Sequence, residues 1–351
     1  MHRGGWLDEA ERIYAEILKV SSGHVEALSL LGVLYRQYGR PEDALRLIDK
    51  ALAAAPDDPA LVGLREEMLD LSEVERRFKQ PRWRGEGGVG GRTILLHAGQ
   101  RLDDTLQFLR YANVVAQQSA RVVLEVQEPL RRLTAASFPD MEVRARGETL
   151  PPFDLHALLS SLPQTCDAVL KTPWPGPYLE PPVELMGAWA RELPSPKKLR
   201  IAFVWDHQSV QRPIVPAAPP LSSLEPILSL PQVAFVSLQP ELNSHDADIL
   251  AHHFNVTRLQ RPLSDFADIA AVVAQLDGVV AGVEGPIAHL SAAMGKPVLL
   301  LLPFGGAWHC PVEGSTDDLW YPSIISYCQH EPGDWSAAVD AVRQELICRA
   351  P

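Results

Sequence analysis

Cysteine is scarce: Cys166, Cys310, Cys328 and Cys348 are the only four in 351 residues, and no two stand in a C-x-x-C spacing. The sequence therefore signals neither a zinc site nor a disulfide framework, and scattered thiols suit a reducing compartment. Long apolar runs are missing as well. The longest, Pro297–Phe304, is far too short to span a bilayer, and the N-terminal MHRGGWLDEAERIY lacks the apolar core of a signal peptide. A soluble, cytoplasmic protein without a membrane span is expected. Basic charge is in deficit: 32 Lys and Arg against 44 Asp and Glu leave a formal net charge of −12. No basic field of the kind that binds nucleic acid or an anionic membrane follows from that balance, which excludes nucleic acid as a partner.

What is present is an ordinary globular composition, 46% hydrophobic and 22% charged, with 31 prolines against 23 glycines. Those proportions argue for ordered connections rather than flexible linkers, and the length suits two or three domains.

The first feature with a period is VEALSLLGVLYRQYGRPEDALRLIDKALAAAPDD, Val25–Asp58. Small Gly32 and Ala44 let two antiparallel helices approach, Leu31, Tyr35 and Leu52 fill the space between them, and Pro56 stops the second helix. The segment resembles a tetratricopeptide repeat. Shifted back by one repeat, Gly5 falls on Gly39, Ala10 on Ala44 and Leu18 on Leu52, so Gly5–Ser22 reads as the second half of an earlier repeat. Such units bury their apolar faces only against neighbours. The helices must then either dock on the domain that follows or continue an array from upstream. Arg-rich, Gly-rich sequence over Arg76–Arg92 marks a boundary.

From Thr93 the pattern changes. TILLHA and RVVLEVQ are short apolar strands on either side of the helical RLDDTLQFLRYANVVAQQSA, a βαβ unit that requires a parallel sheet and a right-handed crossover. This half continues through Met141–Ala145 and FDLHALLSSLPQTC to the proline-rich LKTPWPGPYLEPP. After the amphipathic GAWARELPSP a second α/β half begins near Lys198: strands LRIAFVW and VAFVSLQ, helix DIAAVVAQLD, strands GVVAGV and PVLLLL, and a last helix over Trp335–Arg349. Two Rossmann-like halves in series describe the GT-B architecture of nucleotide-sugar glycosyltransferases, although the same order serves other two-domain proteins.

Taken together, these segments and DDLWYP resemble bacterial tetratricopeptide proteins with a glycosyltransferase-like C-terminal region, similar to the heptosyltransferase group and more distantly to O-GlcNAc transferases. The expected fold is α/β with N-terminal all-α repeat helices and a GT-B-like pair of Rossmann-like domains. Residues 1–76 are read as repeats, 77–92 as linker, 93–194 as the N-terminal half and 195–351 as the C-terminal half with a donor-type site.

The resemblance implies two site motifs and a third, weaker one. In relatives the first strand enters a Gly-Leu-Gly-Asp loop whose glycines admit substrate and whose Asp is the general base. Here the loop reads Arg101-Leu102-Asp103-Asp104. Asp104 is kept as the candidate catalytic base, or serves only as a first-turn acid on the helix dipole. Relatives carry Asp-Thr before a helix with His to hold the donor diphosphate. Here Glu284-Gly285-Pro286 stands at that place with His289 one turn on. A helix N-terminus is an anion site in itself, Gly285 offers an amide, and Pro286 starts a helix but donates nothing. His289 is either a donor ligand or a buried structural histidine. In WDHQSVQRP, Arg212 and His207 are candidates near the donor phosphates, and Trp308, in PFGGAWHC, falls where relatives hold the nucleotide base or packs on Trp320 and Tyr321.

The donor-binding set implied is thus Gly285, His289, Arg212, Glu284 and Trp308, with no metal and no cofactor. The partners implied are a nucleotide-sugar donor and a protein bound through the repeat helices. Replacement of both loop glycines and of the Thr raises the alternative of a catalytically impaired homologue acting as a protein-interaction scaffold. An Arg101 or Asp103 side chain filling the space at Asp104 is the feature that favours the scaffold.

Overall fold

A computed structural model of the chain describes residues 7–37, 40–56, 58, 61–65, 68–69, 77–85, 87–118, 121–166, 176–205, 218–304 and 320–350. The chain divides into two compact units, one built from Met1–Gln127 and Met141–Lys171, the other from Glu128–Asp140, Thr172–Gln208 and Val215–Pro351.

The first unit opens with helices α1 (Leu7–Val20), α2 (Val25–Gln37) and α3 (Pro41–Ala54). Pro41 begins α3 at a position whose amide has no helical partner, with Glu42 and Asp43 set against the positive end of the dipole. Close approach of α2 and α3 is visible at Gly32, where a Cβ would lie 2.8 Å from Ile48 Cδ1. Leu28, Ala51 and Leu61 form one buried cluster. Ala44 and Met68 form another with Leu158 of the sheet. The repeat helices therefore dock on the α/β layer that follows them, which supplies the neighbour that one and a half repeats lack.

That layer is a parallel sheet of β1 (Thr93–His97), β2 (Arg121–Val126), β3 (Glu142–Ala145) and β4 (Leu155–Leu158) in the order β3-β2-β1-β4. Arg82 adds a parallel bridge to His156 of the edge strand β4. Trp83 N–H donates to the His156 carbonyl at 2.8 Å, and His156 N–H donates to that of Pro81 at 3.2 Å. The single helix expected over Arg101–Ala120 is two, α4 (Leu102–Phe108) and α5 (Tyr111–Ala116). Between them Ala112 N–H turns back to Leu109, and the Arg110 side chain takes the Gln107 carbonyl at 2.9 Å.

In the second unit, α6 (Arg131–Ser137) and α7 (Val183–Ala190) precede six strands: β5 (Leu199–Val204), β6 (Val233–Ser237), β7 (Val256–Arg258), β8 (Gly278–Ala281), β9 (Val298–Leu302) and β10 (Ile324–Cys328). All pair in parallel, in the order β10-β9-β8-β5-β6-β7. Helices α8 (Phe266–Ala274), α9 (Pro286–Ala293) and α10 (Ser336–Arg349) cover the sheet. Its core packs Phe203, Phe235, Val280, Leu299 and Leu301 against Leu224, Ile227 and the α10 residues Val339 and Val342. Burial of strands on both faces is why they read as unbroken apolar runs rather than as alternation.

One expectation is corrected by the structure. Cys166 and Cys348 are free thiols, but Cys328 is disulfide-bonded, a pairing that spacing along the chain does not report because folding sets it. No described helix is long and apolar enough to cross a membrane.

Candidate functional site

In the second sheet the chain leaves β5 in opposite directions, to β6 and β7 on one side and, after crossing over, to β8, β9 and β10 on the other. The switch lies between β5 and β8, and ligands of open parallel sheets bind beyond the strand ends at such a point. The expected corner, Glu284-Gly285-Pro286, follows β8 there. Gly282 brings it in: its N–H donates to the Val204 carbonyl at 2.8 Å. A Cβ on Gly282 would stand 2.6 Å from the Trp205 carbonyl oxygen and 3.1 Å from Pro219 Cγ, so only glycine fits.

Gly285 is the N-cap of α9, in extended backbone, and Pro286 is the first helical residue. With His289 N–H already given to the Gly285 carbonyl, the first turn directs the amides of Ile287 and Ala288 outward beside that of Gly285. The far end of α9 is fixed by a Schellman closure. Gly295, at φ +73, donates to Ala292, and Lys296 N–H donates to Ser291.

Behind the corner lies a polar chain. His289 is 4% exposed. Its Nε2 stands 3.3 Å from Glu284 Oε1, and its Nδ1 stands 3.3 Å from the Tyr321 hydroxyl. Tyr321 meets the Tyr178 hydroxyl at 3.2 Å, and Tyr178 N–H donates to the Ala293 carbonyl at the end of α9. Tyr321 and Tyr178 are site residues that sequence reasoning missed as such, because they lie 32 and 111 positions from His289.

Next to Pro219, residues Ala218 and Pro220 border a cavity of about 760 Å³ whose walls include Phe304, Gln329 and Trp335. Arg212 and Trp308, with His207, lie outside the described residues. Asp246 and Asp248 stand in an Asp-x-Asp spacing, but Asp246 accepts from the Trp205 indole at 3.2 Å and from the Asn243 side-chain amide at 3.0 Å. Among the described residues no group of His, Cys, Asp and Glu is arranged to hold a metal ion.

The first unit holds Asp104 in the opening turn of α4. Arg101 takes an ordinary extended conformation, φ −82. Its guanidinium ion-pairs with Asp103 and reaches Asp104 Oδ2 at 3.4 Å. The loop before it is clamped from two strands. Gln127 Nε2 donates to the carbonyls of Gly99 and Arg101, at 2.8 and 3.1 Å. Arg146 donates to those of Ala98 and Gly99 and to the Gln100 side chain.

A second polar cluster is buried in the same unit. His97 Nε2 and His156 Nδ1 are 3.0 Å apart, and Phe78 leans on both rings. Glu125, 1% exposed, is held by both terminal nitrogens of Arg77 at 3.0 and 2.7 Å. Burial, then the neighbouring His156 and the arginines 77, 82 and 146, hold the His97 imidazole well below its usual pKa. Burial lowers that of His156 too, with Arg82 adding to it.

Comparison with known proteins fits this architecture. Residues 5–68 match the tetratricopeptide repeat family. No curated protein matches the chain. Among solved structures, a family 9 glycosyl transferase from Veillonella parvula superposes with a TM-score of 0.51 at 9% identity, covering 75% of this chain and 97% of that one. E. coli heptosyltransferase WaaC, solved with ADP-2-deoxy-2-fluoro heptose, gives 0.47 at 14% identity over 73% and 99% of the two chains. Thermobaculum terrenum O-GlcNAc transferase gives 0.38 at 14% identity over 98% and 87%. The chain joins tetratricopeptide-like helices to two parallel α/β sheets of the GT-B kind, as the sequence led one to expect.

Proposed function

We propose that this chain is a glycosyltransferase-like protein that binds a nucleotide-sugar donor at the β8–α9 corner and transfers its sugar to an acceptor, without a resident metal. The observation that carries the reading is the corner itself. Gly282 presses it against the end of β5, the start of α9 turns amides outward, and His289 stands behind with its ring held on both sides. Amides at a helix start favour a diphosphate. In this reading Gly285 and His289, with Arg212, hold the leaving diphosphate, Trp308 meets the base, Glu284 borders the site, and Asp104 is the base for the acceptor. The repeat helices offer a face for a protein partner. The disulfide at Cys328 counts against a reducing compartment, and cell fractionation decides that part.

Calorimetry with a panel of nucleotides and nucleotide sugars tests the donor site. Saturable binding, weakened about tenfold by His289→Ala or about 1.4 kcal/mol, is expected. An absence of binding across the panel refutes it.

A second reading is favoured by one observation, the contact of Arg101 with Asp103 and Asp104. A guanidinium beside a carboxylate favours its charged form and so weakens it as a base toward a hydroxyl. The alternative is then a homologue that binds the donor without transferring it and serves as a scaffold with its repeat helices. Sugar release from a bound donor in wild type, compared with Arg101→Gly, separates the two: activity in the wild type supports the enzyme, and activity gained only in the variant supports the scaffold.

A further inference from the structure

The cavity of about 760 Å³ at the ends of β9 and β10 has the size of a small-ligand site, and its walls specify the ligand. Two of the lining side chains carry donors without an acceptor. Gln329, 7% exposed, follows β10; its Oε1 accepts Phe304 N–H at 3.0 Å, and its Nε2 meets no acceptor among the described residues. Trp335, 5% exposed, is the N-cap of α10, and its indole Nε1 meets none among them either. Neither nitrogen is closed off in protein, so both open on the cavity that their residues line. A buried donor left unpaired costs stability unless something in the space beside it accepts.

The rest of the wall is acceptor and hydrocarbon. Asp334 spends Oδ1 on the amide and hydroxyl of Ser336, at 2.9 and 2.7 Å, with Oδ2 to spare. Asp340, exposed one turn into α10, leaves its carboxylate to solvent. Phe304 is 53% exposed, and the rings of Pro220, Pro226 and Pro332 add C–H surface. No lysine, arginine or histidine stands among the described residues of the wall.

That set excludes several ligand classes. An anion, a nucleoside diphosphate included, meets two carboxylates and no cation. A cation suits the carboxylates, but it accepts nothing from Gln329 or Trp335 and leaves both buried donors as they were. A hydrocarbon strands donors and acceptors alike. A hydroxyl both donates and accepts. A pyranose carries several hydroxyls around its edge, together with a face of C–H bonds that lies on an aromatic ring or on proline.

We infer that this cavity binds an uncharged saccharide. Its hydroxyls accept from Gln329 Nε2 and Trp335 Nε1 and donate to Asp334 and Asp340, and its C–H face lies against Phe304. Such a site takes sugar without phosphate, whether or not the α9 corner holds a donor.

Saturation-transfer NMR and titration on the full chain test it. The probes are the methyl glycosides of glucose, galactose, mannose and N-acetylglucosamine, with maltose and lactose; glucuronate, adenosine and uridine are the contrasting probes. Saturable binding of at least one uncharged sugar is expected, with a Kd of about 1 mM, ordinary for so small a ligand. It should be weaker for glucuronate, and unchanged between about 0.05 and 0.5 M salt. Phe304→Ala removes the stacking ring and should weaken binding about fivefold. Gln329→Glu keeps the acceptor for Phe304 N–H, removes the donor, and should weaken binding about tenfold. Thermal melts check the fold of both variants; Phe304 is exposed, so its replacement keeps the test usable if Gln329→Glu unfolds. No saturable binding of any sugar in the panel overturns the inference. So does binding that neither variant weakens, which puts the sugar elsewhere, and so does binding of the nucleosides alone, which makes the cavity a base pocket.

Discussion

Acid should loosen the first unit through two histidines, and the size of the effect follows from their burial. His97 and His156 share one hydrogen bond across 3.0 Å, which requires a proton on one nitrogen and a lone pair on the other. Both imidazoles are held below the ordinary value of 6.5 in the folded protein, His97 well below it. The unfolded chain therefore binds more protons than the folded one in mildly acidic solution. Stability from these groups is complete above about pH 6.5 and is lost as pH falls below it. At pH 5.5 each imidazole that stays neutral in the fold costs about 1.4 kcal/mol, and the pair up to about 2.8 kcal/mol. Hydrogen exchange of the β1 amides reads the opening of this unit by itself. Between pH 7.5 and 5.5 the opening free energy of wild type should fall by more than that of His97→Gln, the difference being about 1.4 kcal/mol. Carboxylates titrating elsewhere cancel in the comparison. Equal losses in wild type and variant would refute the reasoning.

Three further outcomes are expected. Arg77→Met strands the carboxylate of Glu125, 1% exposed, and should destabilise by about 3 kcal/mol, while Arg77→Met with Glu125→Leu recovers most of it; chemical denaturation of the single and double variants checks this. Gly282→Ala and Gly32→Ala both introduce a crowded methyl, but the first meets the Trp205 backbone at 2.6 Å and the second the movable end of Ile48 at 2.8 Å. Thermal melts should show a cost of about 2 kcal/mol at Gly282 and less than about 1 kcal/mol at Gly32. Asp265 caps α8 through the amides of Ala267 and Asp268, so Asp265→Ala should cost about 1 kcal/mol and Asp265→Asn much less, measured in the same melts.

The parts of this fold that were legible in the sequence are those in which one stretch of chain decides its own structure. Gly32 and Ala44 announced the helix pair, unbroken apolar runs announced β1, β5, β8 and β9, and the Glu284–His289 corner fell between its strand and its helix as the pattern required. β7 has only three residues, and β10 carries the exposed Ile325; short, half-wet edge strands show neither alternation nor a run. The division of the α4–α5 segment depends on which donor takes the Gln107 carbonyl, a competition without a sequence signature. At the candidate site the residues themselves were readable and their partners were not. Which hydroxyl backs His289 is settled by chain segments far apart in sequence, whereas the reach of Arg101 to Asp104 is a contact within one turn that depends on the conformation of the turn.

The strap formed by Arg77–Trp83 fixes more than a local contact. Through the bridge from Arg82 to His156, the Arg77 pair with Glu125 and the packing of Met68 on Leu158, the repeat helices share the frame of the first sheet. An array extended from α1 would grow from a fixed origin, each added repeat lengthening its reach without changing the angle at which it leaves the sheet.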